Sequence, residues 1–218
     1  MKDIPCTPGA RRVRAWVAEG EHENQDFKLT IPEPAKIARS ISAFANHSGG
    51  RLLIGVKDNG VIAGVRNEED IYVVEYAAER FCVPPQAVEF HAYSIDTGVT
   101  VIVASIPEAP ERPVEVREPD GSLRAYFRVA DENIAAHPLM VEGWRRRARA
   151  TASAITIGAD QSRILEYLRE SPSAPVSEDR IALALHLSRR RVDDLLADLA
   201  ALGLISFEFD GKMFGIRI

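Results

Sequence analysis

The chain of 218 residues holds only two cysteines, Cys6 and Cys82. Two thiols cannot make a disulfide framework, and they fall short of a four-ligand zinc site. Both are expected to be reduced thiols in a cytoplasmic protein. Long apolar runs are also missing. None approaches the roughly 18 residues that a bilayer-spanning helix needs. The opening residues Met1-Lys2-Asp3-Ile4-Pro5 lack the apolar core of a secretory signal. These absences argue against a membrane partner. An excess of positive charge is lacking too. The net charge of −5 excludes a protein coated in basic residues, but it leaves room for local basic patches that bind phosphate by local field. No internal repeat is visible. Neither G-x-x-x-x-G-K-[ST] nor G-x-G-x-x-G occurs, so ATP is not an expected ligand. The five histidines suggest no Ser-His-Asp or Cys-His constellation.

What remains is the composition of a soluble globular protein, 46% hydrophobic and 27% charged. The length suits one large or two small domains. A basic stretch, EGWRRRARA at 142–150, gives way to small uncharged residues, TASAITIG at 151–158. That shift predicts a first domain over residues 1–150, a linker at 151–158 and a second domain over 159–218.

In the first part, helices are expected at 9–20, 34–47, 70–82 and 140–150, from apolar residues recurring at helical spacing. Strands are expected at 25–29, 51–56, 61–65, 88–95, 99–106 and 124–129. Lys57-Asp58-Asn59-Gly60 separates two of these, and Asn-Gly is a strong hairpin signal. Helices and hairpins mixed in this way predict an α+β, mixed-sheet architecture, not a doubly wound nucleotide fold.

The second part reads as three helices and a hairpin, the order of a winged helix-turn-helix. Ser177 and Ser188 are good N-caps for the second and third helices. Val176 with Ile181, and Leu187 with Val192, have the spacing of hydrophobic staples. Asp210-Gly211 predicts a two-residue turn between the last strands. In such a domain the third helix enters a DNA groove, and here it opens with Arg189, Arg190 and Arg191. The same helix carries Asp193, Asp194 and Asp198. Residues 159–218 hold eight Lys and Arg against ten Asp and Glu, a net of −2. Phosphate contacts dominate nucleic-acid affinity, so this domain reads as a poor stand-alone DNA binder.

The most informative stretch runs from Glu21 to Val65. Glu21 and Asp26 are five residues apart, and a continuous strand would send them to opposite faces. They converge only if Glu21 lies on the preceding helix end or turn. Asp58, at a hairpin tip, could then approach both. Asp26-Phe27-Lys28, Ile41-Ser42-Ala43-Phe44-Ala45-Asn46, Gly49-Gly50 and Gly55-Val56-Lys57-Asp58-Asn59-Gly60 with Gly64 follow one another in order. Here the sequence resembles the Schlafen domain, also called the AlbA-like DNA-binding domain, over roughly residues 10–135. Small bacterial proteins that join this domain to a C-terminal helix-turn-helix are described as transcriptional regulators. The resemblance therefore implies a mixed-sheet Schlafen/AlbA-like domain followed by a small winged helix domain. It also implies DNA or RNA as a partner.

In animal Schlafen relatives an acidic triad cleaves RNA with a divalent metal. Carried over, Glu21, Asp26 and Asp58 are the candidate catalytic residues and the candidate ligands for Mg²⁺ or Mn²⁺. Asp26 stands where Glu is usual. Candidate nucleic-acid contacts are Lys28, Arg39, Arg51 and Lys57 around the motif, Arg145, Arg146 and Arg147 near the end of the first domain, and Arg189 to Arg191. Arg11, Arg12 and Arg14 add a further basic cluster. Three functions compete. The favoured one is a DNA-binding regulator that needs no cofactor and acts as a homodimer on paired half-sites. The others are a metal-dependent endoribonuclease and a protein-interaction or assembly module.

Overall fold

The computed structural model describes residues 4, 6–66, 69–149, 157–171 and 175–218. The chain separates into two compact units. One comprises Met1–Pro110 with Val114–Ala135, the other Ala136–Ile218 with Glu111–Pro113. The architecture is α+β, with strands paired in both directions. The expected linker at 151–158 lies outside the described residues except for Ile157 and Gly158. Among the described residues no helix is long and apolar enough to cross a membrane.

The first unit begins with β1 (Cys6–Pro8), α1 (Ala10–Glu19), β2 (Gln25–Lys28), α2 (Pro34–Ala45) and β3 (Gly50–Ile54). Next come α3 (Glu69–Tyr76), a π-helical turn at Ala77–Phe81 and β4 (Cys82–Val83). The remaining strands are β5 (Glu89–Asp96), β6 (Val99–Ile106), β7 (Glu115–Arg117), β8 (Leu123–Val129) and β9 (Glu132–Ala135). Five strands form a mixed sheet in the order β1-β5-β6-β3-β2, and four form a second sheet in the order β4-β7-β8-β9. Strand alternation divides the core in two. Phe27, Leu53, Val101 and Val103 turn toward Val13 of α1. Leu52, Ile54, Ile102 and Ala104 turn toward α2 and the second sheet.

Helix α2 explains most of the sequence motif. Pro34 opens it, where a missing N–H costs nothing. Its residues Ile37, Ile41, Ala43, Phe44 and Ala45 are buried. Asn46 ends it and is 2% exposed. The Asn46 amide donates to the carbonyls of Val114 (2.8 Å) and Tyr126 (2.9 Å), and its oxygen accepts from the Val114 N–H at 2.7 Å. One turn earlier, the Ser42 hydroxyl donates to the Val114 carbonyl and accepts from the Tyr126 N–H. The two side chains join β8 to the residue entering β7. Gly50 then has no room for a side chain, because a Cβ would meet the Phe44 ring at 2.3 Å.

The strand expected at 61–65 is absent. Only Val56 and Ile62 make an isolated bridge. The N–H groups of Ala63 and Gly64 both donate to the Gly55 carbonyl, and Gly55 and Gly64 both take positive φ. The segment folds round Gly55 as a tight loop and cannot extend.

The second unit contains α4 (Pro138–Arg149), α5 (Ala159–Glu170), α6 (Glu178–Leu185), α7 (Arg189–Ala201) and an antiparallel hairpin of β10 (Ser206–Phe209) and β11 (Phe214–Arg217). Ser177 and Ser188 cap α6 and α7 by accepting from the N–H groups of Arg180 and Arg191. Both staple pairs lie in or against one cluster with Ile164, Leu195 and Leu199. The hairpin joins through four residues, not two. Phe209 pairs with Phe214, and the Asp210 carboxylate accepts from the N–H groups of Lys212 and Met213. Helix α4, expected to close the first domain, lies in the second unit and packs on α7. Gly143 permits this approach, since a Cβ there would lie 2.7 Å from the Ala200 methyl.

Candidate functional site: an acidic pocket and a basic groove

Gly20 ends α1 and turns the chain so that Glu21 faces the first residues of β2. A Glu21 carboxylate oxygen accepts from the Phe27 N–H at 2.8 Å. The carboxyls of Glu21 and Asp26 are hydrogen-bonded to each other. Glu21 thus meets Asp26 from a turn, the condition the spacing required. Asp26 is 5% exposed, and Lys28 Nζ lies 2.6 Å from its Oδ1. Burial and the neighbouring Asp26 carboxyl push Glu21 up to about 7.

A residue that sequence reasoning missed completes this cluster. Arg128 of β8 is 2% exposed. Its guanidinium donates to the carbonyls of His22 (2.9 Å) and Gln25 (3.4 Å) and to Asn133 Oδ1 (2.9 Å), and it lies 4.9 Å from the Phe44 ring centre. Asn133 donates in turn to Ser40 of α2. The acids acting on Arg128 are Asp26, then Glu21, Asp131 and Glu23, while burial lowers its pKa. One signal was available. In Ala125-Tyr126-Phe127-Arg128-Val129 a charged residue interrupts an apolar run.

Asp58 does not join the pair. It is exposed in the turn after β3. That turn packs through Val56 and Ile62 into the α1 side of the core, with Gly60 against Val17. Asp26 pairs in register with Leu52, which faces the α2 side. Among the described residues, no three His, Cys, Asp or Glu side chains are grouped to hold a metal ion. The expected metal set of Glu21, Asp26 and Asp58 is corrected accordingly. A divalent ion does not fit the residues present, because Asp26 already meets an ammonium and the third acid lies elsewhere.

The candidate nucleic-acid contacts divide by what holds them. Lys28 is bound to Asp26. Arg39 forms a two-pronged pair with Glu118 (3.1 and 2.5 Å), which holds that carboxylate below its usual range. Tyr126 donates to the same carboxylate and is pushed up to about 12, chiefly by burial. Arg51 bonds Gln25 and Glu19 and lies 4.7 Å from the Trp16 ring centre. Lys57 is exposed in the Asp58 turn.

In the second unit, Arg146 meets Glu142, Asp194 and Asp198, and Arg147 donates to the Ala201 carbonyl at the end of α7. Arg145 is half-buried on the same helix. Arg189 meets Glu178, Asp179 and Asp193. Arg191 meets Asp160 and Asp194. Arg190 is exposed and has no acid partner among the described residues.

Helix α1 differs. Arg14 pairs with Asp96, but Arg11 and Arg12 are exposed, and among the described residues neither has a carboxylate partner. Arg12 donates to the Tyr93 hydroxyl at 3.3 Å, and its guanidinium lies 5.8 Å from the Trp16 ring centre. Trp16 and Tyr93 meet edge to face at 5.6 Å. These side chains line a groove of about 910 Å³ with Thr7, Arg11 and Ser94.

A family model described as Schlafen, AlbA_2 matches residues 21–137, more than half of the chain. The chain belongs to this family. The match takes in the acidic pair, the α2 clamp, the Gly49-Gly50 turn and Arg128. It begins after α1, so the basic groove lies mostly before the matched segment. No curated protein matches the chain. Among solved structures, the DIP2311 protein from Corynebacterium diphtheriae is 18% identical and aligns with a TM-score of 0.43, over 88% of this chain and 34% of its own. This chain thus spans about a third of that protein's length.

Proposed function

We propose that the chain is a nucleic-acid-binding protein whose Schlafen/AlbA-like unit makes the main contact. The observation that supports this reading is the pairing of Arg11 and Arg12. They stand in succession on α1, exposed, with no carboxylate partner among the described residues, in a groove that also offers aromatic rings and hydroxyls and whose one acid, Glu19, is paired with Arg51. Arginine free of carboxylates is available to phosphate, and rings beside it suit a nucleic-acid chain. Helices α5, α6 and α7 and the hairpin of the second unit are a winged helix. Their finer role is that of a homodimeric, DNA-binding transcriptional regulator, with Arg190 as the contact on α7.

The test is binding of labelled DNA and RNA over a salt series. Affinity should fall steeply with salt, and Arg11→Ala with Arg12→Ala should weaken it by about tenfold or more. Salt-independent binding, or a double variant that binds as the parent does, would sink the reading.

The ion pairs on α7 favour a second reading for the winged helix alone. With Arg189 and Arg191 each held by two or more acids, the unit suits protein assembly. Self-association measured by sedimentation, with affinity for DNA unchanged in Arg190→Ala, would support assembly over DNA contact.

A further inference from the structure

The acidic pair of this chain is a place where a divalent ion would be looked for, and its own side chains already fill that role. Asp26 is nearly inaccessible, and its carboxylate is met by Lys28 Nζ at 2.6 Å. Arg128 is buried behind it, held by two backbone carbonyls and Asn133. One ammonium in contact with Asp26 and one buried guanidinium on the flanking carbonyls therefore share the site with two carboxyls.

The hydrogen bonding of Arg128 points the same way. Its Nε is the buried side-chain polar atom that has no partner among the described residues. A guanidinium stays charged even where one donor is unmet, because its pKa lies far above neutrality. The acids that act on it most are Asp26 and Glu21. Magnesium and manganese need several oxygen ligands in near-octahedral order, and a neighbouring ammonium repels them.

We propose that Lys28 and Arg128 are resident counter-ions that replace a divalent metal at the Glu21–Asp26 pair, so that this pocket excludes Mg²⁺ and Mn²⁺. Arg128 also ties the lead-in to β2 to β8 through the His22 and Gln25 carbonyls, and Asn133 carries the link on to Ser40 of α2. A consequence follows for Lys28. It is partly exposed and reaches Asp26 from the same strand. Removing it should open the pocket to an ion.

The experiment is titration of the full chain with MnCl₂, followed by the electron paramagnetic resonance signal of free Mn²⁺ and by isothermal calorimetry. The informative quantity is the uptake that Asp26→Asn abolishes. In the parent, no such component is expected up to about 1 mM. Lys28→Met should acquire it, with uptake at least about tenfold tighter. Circular dichroism checks that the variant is folded, and Lys28→Gln replaces it if it is not. Micromolar Mn²⁺ uptake by the parent that Asp26→Asn removes overturns the proposal. Failure of the folded Lys28 variant to gain an Asp26-dependent site overturns it as well.

Discussion

On α1 the guanidinium groups of Arg11 and Arg12 make no ion pair among the described residues, whereas on α7 Arg189 and Arg191 each meet two or more carboxylates. Both helices open with a run of arginines, so run length does not distinguish them. The positions one turn away do. Arg189 has Asp193 four residues on, and Arg191 has Asp194 three residues on. After Arg11 and Arg12 those positions hold Arg14, Ala15 and Trp16. Side chains three and four apart are neighbours on a helix. The charge a helix offers to a polyanion is thus set by acids within helical reach as much as by its arginines.

The largest effect should come from an arginine of a third kind, buried and reached by neither solvent nor ligand. Arg128→Met should cost about 3–5 kcal/mol, because it leaves buried Asp26 with Lys28 alone and takes the donor from the His22 and Gln25 carbonyls and Asn133. Urea unfolding of parent and variant measures this. A loss below about 1 kcal/mol would mean that water, not Arg128, balances the acids. Next in size is the double change Arg11→Ala with Arg12→Ala. It should remove two phosphate contacts and lower the slope of log affinity against log salt by about two. An equal effect from Arg189→Ala with Arg191→Ala would erase the contrast between the two helices. The converse change sharpens it. Asp193→Asn with Asp194→Asn should remove one acid from each of Arg189 and Arg191 and tighten nucleic-acid binding, by a factor of a few at most, since exposed pairs are worth only about 0.2–1 kcal/mol each and Glu178, Asp179 and Asp160 remain. Anisotropy at low and moderate salt reads this directly.

The smallest expected effect is on pH. Glu21 is raised to about 7 in the folded protein, above its value in the unfolded chain. Between those two values the folded state binds more protons. Stability from this group is therefore full below the unfolded value, falls as pH rises toward 7, and is level above it. Melting temperatures at pH 5 and pH 8 should show the fall, and Glu21→Gln should remove it. An identical fall in Glu21→Gln would assign it to other groups.

Much of the fold was legible because its signals are local. Pro34, Ser177 and Ser188 mark helix starts by their own chemistry, and the strands at β5 and β6 follow from alternation. Glu21 meeting Asp26 was readable as a condition, since five residues of strand could not bring them together. What failed was long-range. Arg128 reaches the acidic pair from a strand about a hundred residues later, and no spacing rule spans that distance. Asp58 was placed with the acids by its hairpin-tip position and by the family resemblance, while Gly55 and Gly64 fold its turn toward α1. Helix α4 was grouped with the first domain because the composition shift falls after it, and it lies in the second compact unit. A glycine inside a helix costs about 1 kcal/mol against alanine, and Gly143 is there because another helix comes close.

The Asn46 amide has a consequence for assembly of the second sheet. Its oxygen and nitrogen together take up both backbone groups of Val114 and the carbonyl of Tyr126. A slip of β7 past β8 by one residue would turn every side chain to the opposite face and would also misalign all of these bonds. Helix α2 therefore works as a register gauge, and only one alignment of the two strands can close on it.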